Sequence, residues 1–194
     1  MALSPAHPDA APVATAPAAA PPPRWTFGVV GPRLRVSAGL VAWLAVGAWL
    51  VGLSPAWLGR AGPLAFVAGM VASMLVHEGA HALAAHNLGY RVEWVVLGGL
   101  TGVTAYFGRD DRPLDRAAVA LAGPAASAAL ILGLVGLRAT LPAEADLTAL
   151  VELMLAFNVL ALVANLLPIA GTDGAHTLGG VTEHLRRVRP RRGD

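Results

Sequence analysis

Between Ala61 and Val76 the chain carries no charged residue, and it then presents His77-Glu78-Gly79-Ala80-His81. An uncharged apolar segment of this length, from Pro63 to about His86, reads as a helix crossing a membrane. Two histidines four apart then lie on one face of that helix, about one turn from each other. Both can reach a single metal ion. The glutamate after the first histidine can hold and deprotonate a metal-bound water. Ionisable groups at membrane depth cost about 2.5–3.5 kcal/mol each on insertion scales, so by default they signal function.

The rest of the chain has the same character. It is 56% hydrophobic and 13% charged, with a mean hydropathy of +0.60. An ordinary soluble domain carries about 25% charged residues. Besides Pro63 to His86, apolar segments run from Val36 to Leu53, from Ala117 to Leu137, and from about Leu147 to Pro168, the last interrupted only by Glu152. Each is near the length of about 20 residues that a helix needs to span the hydrocarbon layer. Between the second and third segments, Val92 to Phe107 holds β-branched and aromatic residues around Gly98-Gly99, a hairpin signal. The expected fold is an α-helical integral membrane protein. It has about four transmembrane helices and a membrane-associated β-hairpin between the second and third. A hairpin at that depth must satisfy its backbone against protein or a water-filled cavity. Its free edge could accept an extended peptide by strand addition. The plainer alternative is a loop hairpin packed on the helices.

Residues 1–24 are rich in Ala and Pro and read as a disordered tail; they lack the basic and apolar regions of a signal peptide. Residues 25–185 would form the core and 186–194 a basic tail. Every basic residue is arginine, a pattern of GC-rich bacterial genomes. Arginines concentrate in the N-terminal flank, in the loop from Asn87 to Arg116 and in the tail, with Arg60 and Arg138 on the other side. This distribution places both termini and the histidines toward the cytoplasmic side, of a bacterial plasma membrane on this reading. The pI of about 9.9 does not indicate nucleic acid. Arg186, Arg187, Arg189, Arg191 and Arg192 lie directly after the last apolar segment, without aromatic interleaving, and read as an anchor on anionic membrane lipid. There are no cysteines, so a metal must bind through His, Asp, Glu or backbone.

A catalytic zinc needs a third protein ligand and an open position. Glu152 lies near the outer end of its segment, which puts it some 15–20 Å from His81 at the inner end of the second. Asp173 lies just past the inner end of the fourth segment, at the depth of the histidines. Pro168, Gly171 and Gly174 break the helix there and let the carboxylate turn inward.

With these residues in place the chain resembles the site-2 protease family of intramembrane zinc metalloproteases, peptidase family M50. That family pairs HExxH with a later Asn-x-x-Pro…Asp-Gly motif. His77, Glu78 and His81 match the first motif; Asn165, Pro168, Asp173 and Gly174 match the second. Gly123-Pro124, the glycine-containing hairpin and Asn158 extend the likeness over most of residues 25 to 185. The chain departs from the pattern at Ala170, Gly171 and Thr172, where the family often has prolines and a leucine. The resemblance implies one zinc ion on His77, His81 and Asp173, with Glu78 as general base and Asn165 binding the oxyanion or positioning the peptide. It implies hydrolysis of peptide bonds within or near transmembrane segments of substrate proteins. It also implies a minimal form without PDZ or CBS-type domains.

Other readings stand beside this one. A catalytically inactive homologue could hold membrane proteins without cutting them, though Glu78 is intact. A metal transporter would need further intramembrane ligands. Another zincin class would take a helix-borne glutamate as third ligand. His86 reads as solvated, His176 as peripheral to the metal or interfacial, and His7 and His184 as exposed. Asn158 reads as an interhelical hydrogen-bond donor, and Gly123-Pro124 as a kink or packing element. Trp25, Trp43, Trp49, Trp57 and Trp94 read as interfacial anchors or packing.

Overall fold

The computed structural model describes residues 26–30, 33–52, 62–98, 102–108, 112–143 and 146–189. The expected N-terminal tail, His7, Trp25, Trp57, Arg60, the Gly99 end of the hairpin turn and the last arginines lie outside these residues. Strands β1 (Thr26–Val30) and β2 (Leu34–Ser37) lead into helix α1 (Ala38–Gly52). Helix α2 (Gly62–Asn87), strands β3 (Arg91–Leu97) and β4 (Val103–Phe107), and helices α3 (Pro113–Thr140), α4 (Asp146–Leu166) and α5 (Asp173–Val188) follow.

Three helices, α2, α3 and the Leu147–Leu166 part of α4, are long and apolar enough to cross a membrane. In the most apolar stretch of each, only 22–28% of the residues are buried, and side chains such as Leu64 and Leu132 are more than 70% exposed. So much outward-facing apolar surface requires lipid around it. The first expected span is seen as α1, whose apolar part is shorter; the segment beyond Gly52 lies outside the described residues. Helix α1 begins where Ser37, the last residue of β2, accepts a hydrogen bond from the Leu40 amide on its hydroxyl at 3.0 Å, an N-cap arrangement.

The hairpin expected from Val92 to Phe107 is present as the antiparallel pair β3–β4, but it is half of a larger sheet. The strand order is β1-β2-β3-β4, with β1–β2 antiparallel and β2–β3 parallel. Leu34 pairs with Val95, far along the chain, and such a parallel pairing leaves no local turn signal in the sequence. The N-terminal strands also carry Gly28 and Arg35, which mask their alternation. Arg35 pins the first pair by donating to the Thr26 carbonyl and hydroxyl, both at 2.6 Å. The sheet leaves β4 at one edge, beside α2.

Helices α1, α2 and α4 meet around Phe66, Met70, Val51 and Met154. Phe157 of α4 packs edge-on against Phe66 with ring centroids 5.0 Å apart, and Trp43 of α1 packs on Phe157 at 6.0 Å. Glycines bring the backbones close, as is usual between helices in lipid: Gly47 faces the Phe66 ring and Gly69 the Met154 thioether. A second cluster, Ala85, Tyr90 and Val119, joins the sheet to α2 and α3. There the Tyr90 hydroxyl donates to Asp115 in the first turn of α3 at 3.1 Å.

Helix α5 was not foreseen as a helix. Arg186 and Arg187, assigned from sequence to a basic tail, belong to its last turn. The helix packs on the start of α3, where Gly180 lies against the Pro113 carbonyl and Ala117. Glu183 holds it there by an ion pair with Arg116 and also pairs with Arg187. The Arg187 hydrogen bond, with Arg116 nearby, keeps the Glu183 carboxyl below the usual glutamate range.

Candidate metal centre

The buried face of α2 is a single stripe: Phe66, Met70, Ser73, His77, His81 and Ala85, spaced three or four apart. The two histidines continue an apolar stripe, so the packing that orients the helix also aims them inward. Both rings are buried, with centroids 4.8 Å apart.

Asp173 joins them from the other end of the chain. After α4 the segment Leu167 to Thr172 turns sharply. Gly171 takes a φ of +91°, a left-handed conformation that favours glycine. The Thr172 hydroxyl donates to the Leu167 and Ile169 carbonyls, and it accepts from the Ala175 amide as the N-cap of α5. Gly174 sits against the Leu166 carbonyl, where a side chain would collide. Asp173 thus becomes the first residue of α5, where the helix dipole favours a carboxylate.

His77 Nε2 lies 3.1 Å from Asp173 Oδ2, His81 Nε2 lies 3.4 Å from Asp173 Oδ1, and the two Nε2 atoms are 3.2 Å apart. A tetrahedral zinc with bonds of about 2.0 Å has ligand–ligand edges of about 3.3 Å, and each of these separations is close to that edge. The far ring nitrogens support this. His81 Nδ1 faces the Val119 carbonyl at 2.7 Å and must donate to it, which leaves the Nε2 lone pair pointing inward. His77 Nδ1 is 2.9 Å from the Ser127 hydroxyl. Pro124 offers no N–H to the Ala120 carbonyl, so the α3 ladder is open in the turn beside Val119. A carboxylate facing the inward-pointing His81 lone pair and the His77 Nε2 atom in one cluster is a donor set suited to a cation.

Val119, Gly123 and Ser127 are spaced by four on α3 and all face this cluster. A Cβ on Gly123 would lie 2.2 Å from His81 Nε2 and 2.8 Å from His77 Nε2. Gly123 therefore leaves open the space between the rings, a more specific part than the kink or packing element read from sequence. The regular spacing of these three residues was visible in the sequence; their partner on α2 was not.

Glu78 lies beside the triangle, buried, with its ligand atom within 4.8 Å of those of both histidines. The Thr104 hydroxyl of β4 donates to Glu78 Oε2 at 3.0 Å, and Gly102 passes so close that a Cβ there would strike the carboxylate. Thr104 and Gly102 were not singled out from sequence, because nothing local ties a strand residue to a helix residue 26 positions away.

Two cavities open onto the centre. One is mainly apolar and runs between α1, α2 and α4, from Trp43, Met74 and Phe157 to His77 and Glu78. Asn165 and Asn158 line it. Asn165 is a buried residue whose amide opens on this cavity and makes no hydrogen bond to any described residue, whereas Asn158 donates to the Met154 carbonyl at 2.8 Å. That bond lies within α4, not between helices as expected, because the neighbouring helix surface is the open cavity. The second cavity is mixed in character and joins Glu78, His81 and Asp173 to Thr104, Arg116 and His176. His86 is exposed, and His176 is exposed on the wall of this second cavity. Glu152 pairs with Arg138 at 2.7 Å. Arg138 is nineteen residues beyond Val119, about 28 Å along α3, so Glu152 stands at the far end from the histidines.

The Peptidase M50B-like family model matches residues 63–172, from the start of α2 to the residue before Asp173. The chain belongs to the Peptidase M50B-like family. A Synechocystis protein provisionally named a zinc metalloprotease is 29% identical over 133 residues, 69% of this chain and 32% of that protein. A Mycobacterium tuberculosis protein with the same provisional description is 37% identical over 108 residues, 54% of this chain and 28% of that protein. The M50B-like chain thus spans about a third of the length of these curated relatives. Its fold is similar to that of the site-2 protease from Methanocaldococcus jannaschii, with a TM-score of 0.60 over 86% of this chain and 73% of that one, at 17% identity.

Proposed function

We propose that this M50B-like protein is an intramembrane zinc endopeptidase that hydrolyses peptide bonds within or near transmembrane segments of other membrane proteins. The observation that carries the reading is the triangle of His77, His81 and Asp173 with Glu78 beside it, at the end of an apolar cavity between membrane-spanning helices. His77, His81 and Asp173 would hold one zinc ion. When bound, the ion supplies Lewis acidity and a water acidic enough to lose a proton near neutral pH.

The chain's own residues do the rest. The Glu78 carboxylate, oriented by the Thr104 hydroxyl, takes a proton from the attacking water and returns it to the leaving amine. The Asn165 amide, without a partner among the described residues and opening on the same cavity, donates to the substrate carbonyl or holds the adjoining peptide unit. The substrate must be extended, because helical carbonyls are already bonded and covered. Strand β4, at the sheet edge next to Glu78, offers a backbone row for an extended segment to join. In this reading α1 is a fourth crossing helix, and the hairpin dips to membrane depth against the helices. The arginines at the metal-site end of α2, α3 and α5 favour a centre on the cytoplasmic side.

The test uses detergent-purified full chain and a panel of candidate membrane-span substrates. The wild type should bind about one zinc per chain and cleave at least one of them. Glu78→Gln should keep the zinc and lose cleavage by about 100-fold or more. A wild type that binds no zinc after reconstitution would sink the proposal.

A further inference from the structure

Helix α5 has an inner and an outer side. The inner side packs on the first turns of α3 through Gly180 and Glu183, and these two residues line the second cavity together with Asp173, His176 and Gly179. The outer side carries Leu178, Val181, Leu185 and Val188, which are 37–60% exposed. Their spacing makes a single stripe along the helix. Arg189 is exposed just past the end of that stripe, and Arg186 is exposed beside it, on the face that continues from Gly179; neither has an acidic partner among the described residues. Arg187, by contrast, is held by Glu183.

The level of this stripe follows from its neighbour. Gly180 lies against Pro113 and Ala117, and the uncharged stretch of α3 begins at Ala117. The hydrocarbon boundary therefore falls near Gly180, if α3 spans the bilayer. Arg186 is about 9 Å further along α5. The headgroup layer is roughly 5–8 Å thick on each side, and arginine side chains reach several ångströms along it. Val181 thus falls at the acyl boundary, and Arg186, Val188 and Arg189 fall among the phosphates.

We propose that this outer side of α5 docks on anionic phospholipid, with the apolar stripe at the acyl boundary and Arg186 and Arg189 on headgroup phosphates. A second copy of the chain is disfavoured as the occupant, because stripe-to-stripe contact would bring the unpaired arginines of both copies together. Each arginine near a charged membrane surface is attracted to it, and the apolar stripe supplies the burial that keeps it there. Because α5 opens with Asp173, the contact steadies the far end of the helix that presents this carboxylate.

The chain has no cysteine, so single labelling sites can be introduced without background. Val181→Cys and Val188→Cys carry a fluorophore in full-length protein in nanodiscs of phosphatidylcholine with phosphatidylglycerol. Gly179→Cys, where an added side chain meets nothing, is the water-facing control. Acyl-chain nitroxides should quench the Val181 site most, and headgroup nitroxides the Val188 site. Nitroxide-bearing phosphatidylglycerol should quench the Val188 site roughly threefold more than the phosphatidylcholine analogue, and high salt should abolish the difference. Adding Arg186→Gln and Arg189→Gln should abolish it too, while zinc content stays at the wild-type level and reports an intact fold. Equal quenching by the two lipids would overturn the proposal. So would labels quenched by aqueous iodide as strongly as the control, or shielding from lipid that grows with protein concentration. None of these readings depends on catalysis.

Discussion

A single methyl group at Gly123 should weaken metal binding at this centre by about 100-fold or more. The Cβ of Gly123→Ala would stand 2.2 Å from His81 Nε2, 2.6 Å from His81 Cε1 and 2.8 Å from His77 Nε2. Ordinary carbon contacts lie at about 3.5–4.0 Å, so the His81 ring would have to retreat by more than an ångström. It cannot do so and keep its 2.7 Å bond to the Val119 carbonyl. The substitution thus displaces one ligand and breaks the contact that orients it. Loss of an orienting partner alone costs 10–100-fold in metal affinity, so the combined loss should reach about 100-fold or more, near 2.7 kcal/mol. The fold should suffer less, about 1–3 kcal/mol, as for other overpacked cores. Zinc affinity measured by chelator competition, beside thermal unfolding of the zinc-free protein, separates the two effects. A Gly123→Ala protein that keeps one zinc per chain with affinity within about threefold of wild type would refute the argument that this glycine keeps the space between the histidines open.

Three further outcomes follow from the same geometry. Ser127→Ala removes the partner of His77 Nδ1 and should weaken zinc binding by about 10–100-fold, with little change in unfolding; an unchanged affinity would mean that the hydroxyl does not orient the ring. Asp173→Ala should abolish stoichiometric zinc, whereas Glu152→Ala, which breaks only the Arg138 pair, should keep it; metal analysis of the two side by side decides between these carboxylates. Thr104→Val keeps the shape of the β4 residue but removes the hydroxyl on Glu78, so cleavage should fall by about tenfold at constant zinc content, and full activity would show that Glu78 needs no such anchor.

Much of this protein is local and therefore legible in its sequence. The pairing of His77 with His81 follows from 3.6 residues per turn and needs no tertiary information. The apolar runs around them call for lipid, and Pro168, Gly171 and Gly174 announce the break that presents Asp173. Glu152 could be set aside from sequence as well, because depth along a spanning helix is counted in residues.

Other features come from parts of the chain that approach only when the helices pack. The contacts of His77 with Ser127 and with Asp173 bridge 50 and 96 residues, and no periodicity reports which faces of α2, α3 and α5 will meet. Strands β1 and β2 were hidden for the same reason, since β2 is completed by β3 from beyond two helices. Helix α5 was passed over because its stripe is short and broken by glycines; Gly180 earns its place only against Pro113 and Ala117. The sequence alone determined which atoms could bind a metal, because bond geometry along one helix or one turn is fixed by the backbone. Only the tertiary structure decided how those atoms are held, because tautomers, clearances and the Thr104 anchor on Glu78 depend on which surfaces the packing of distant segments brings together.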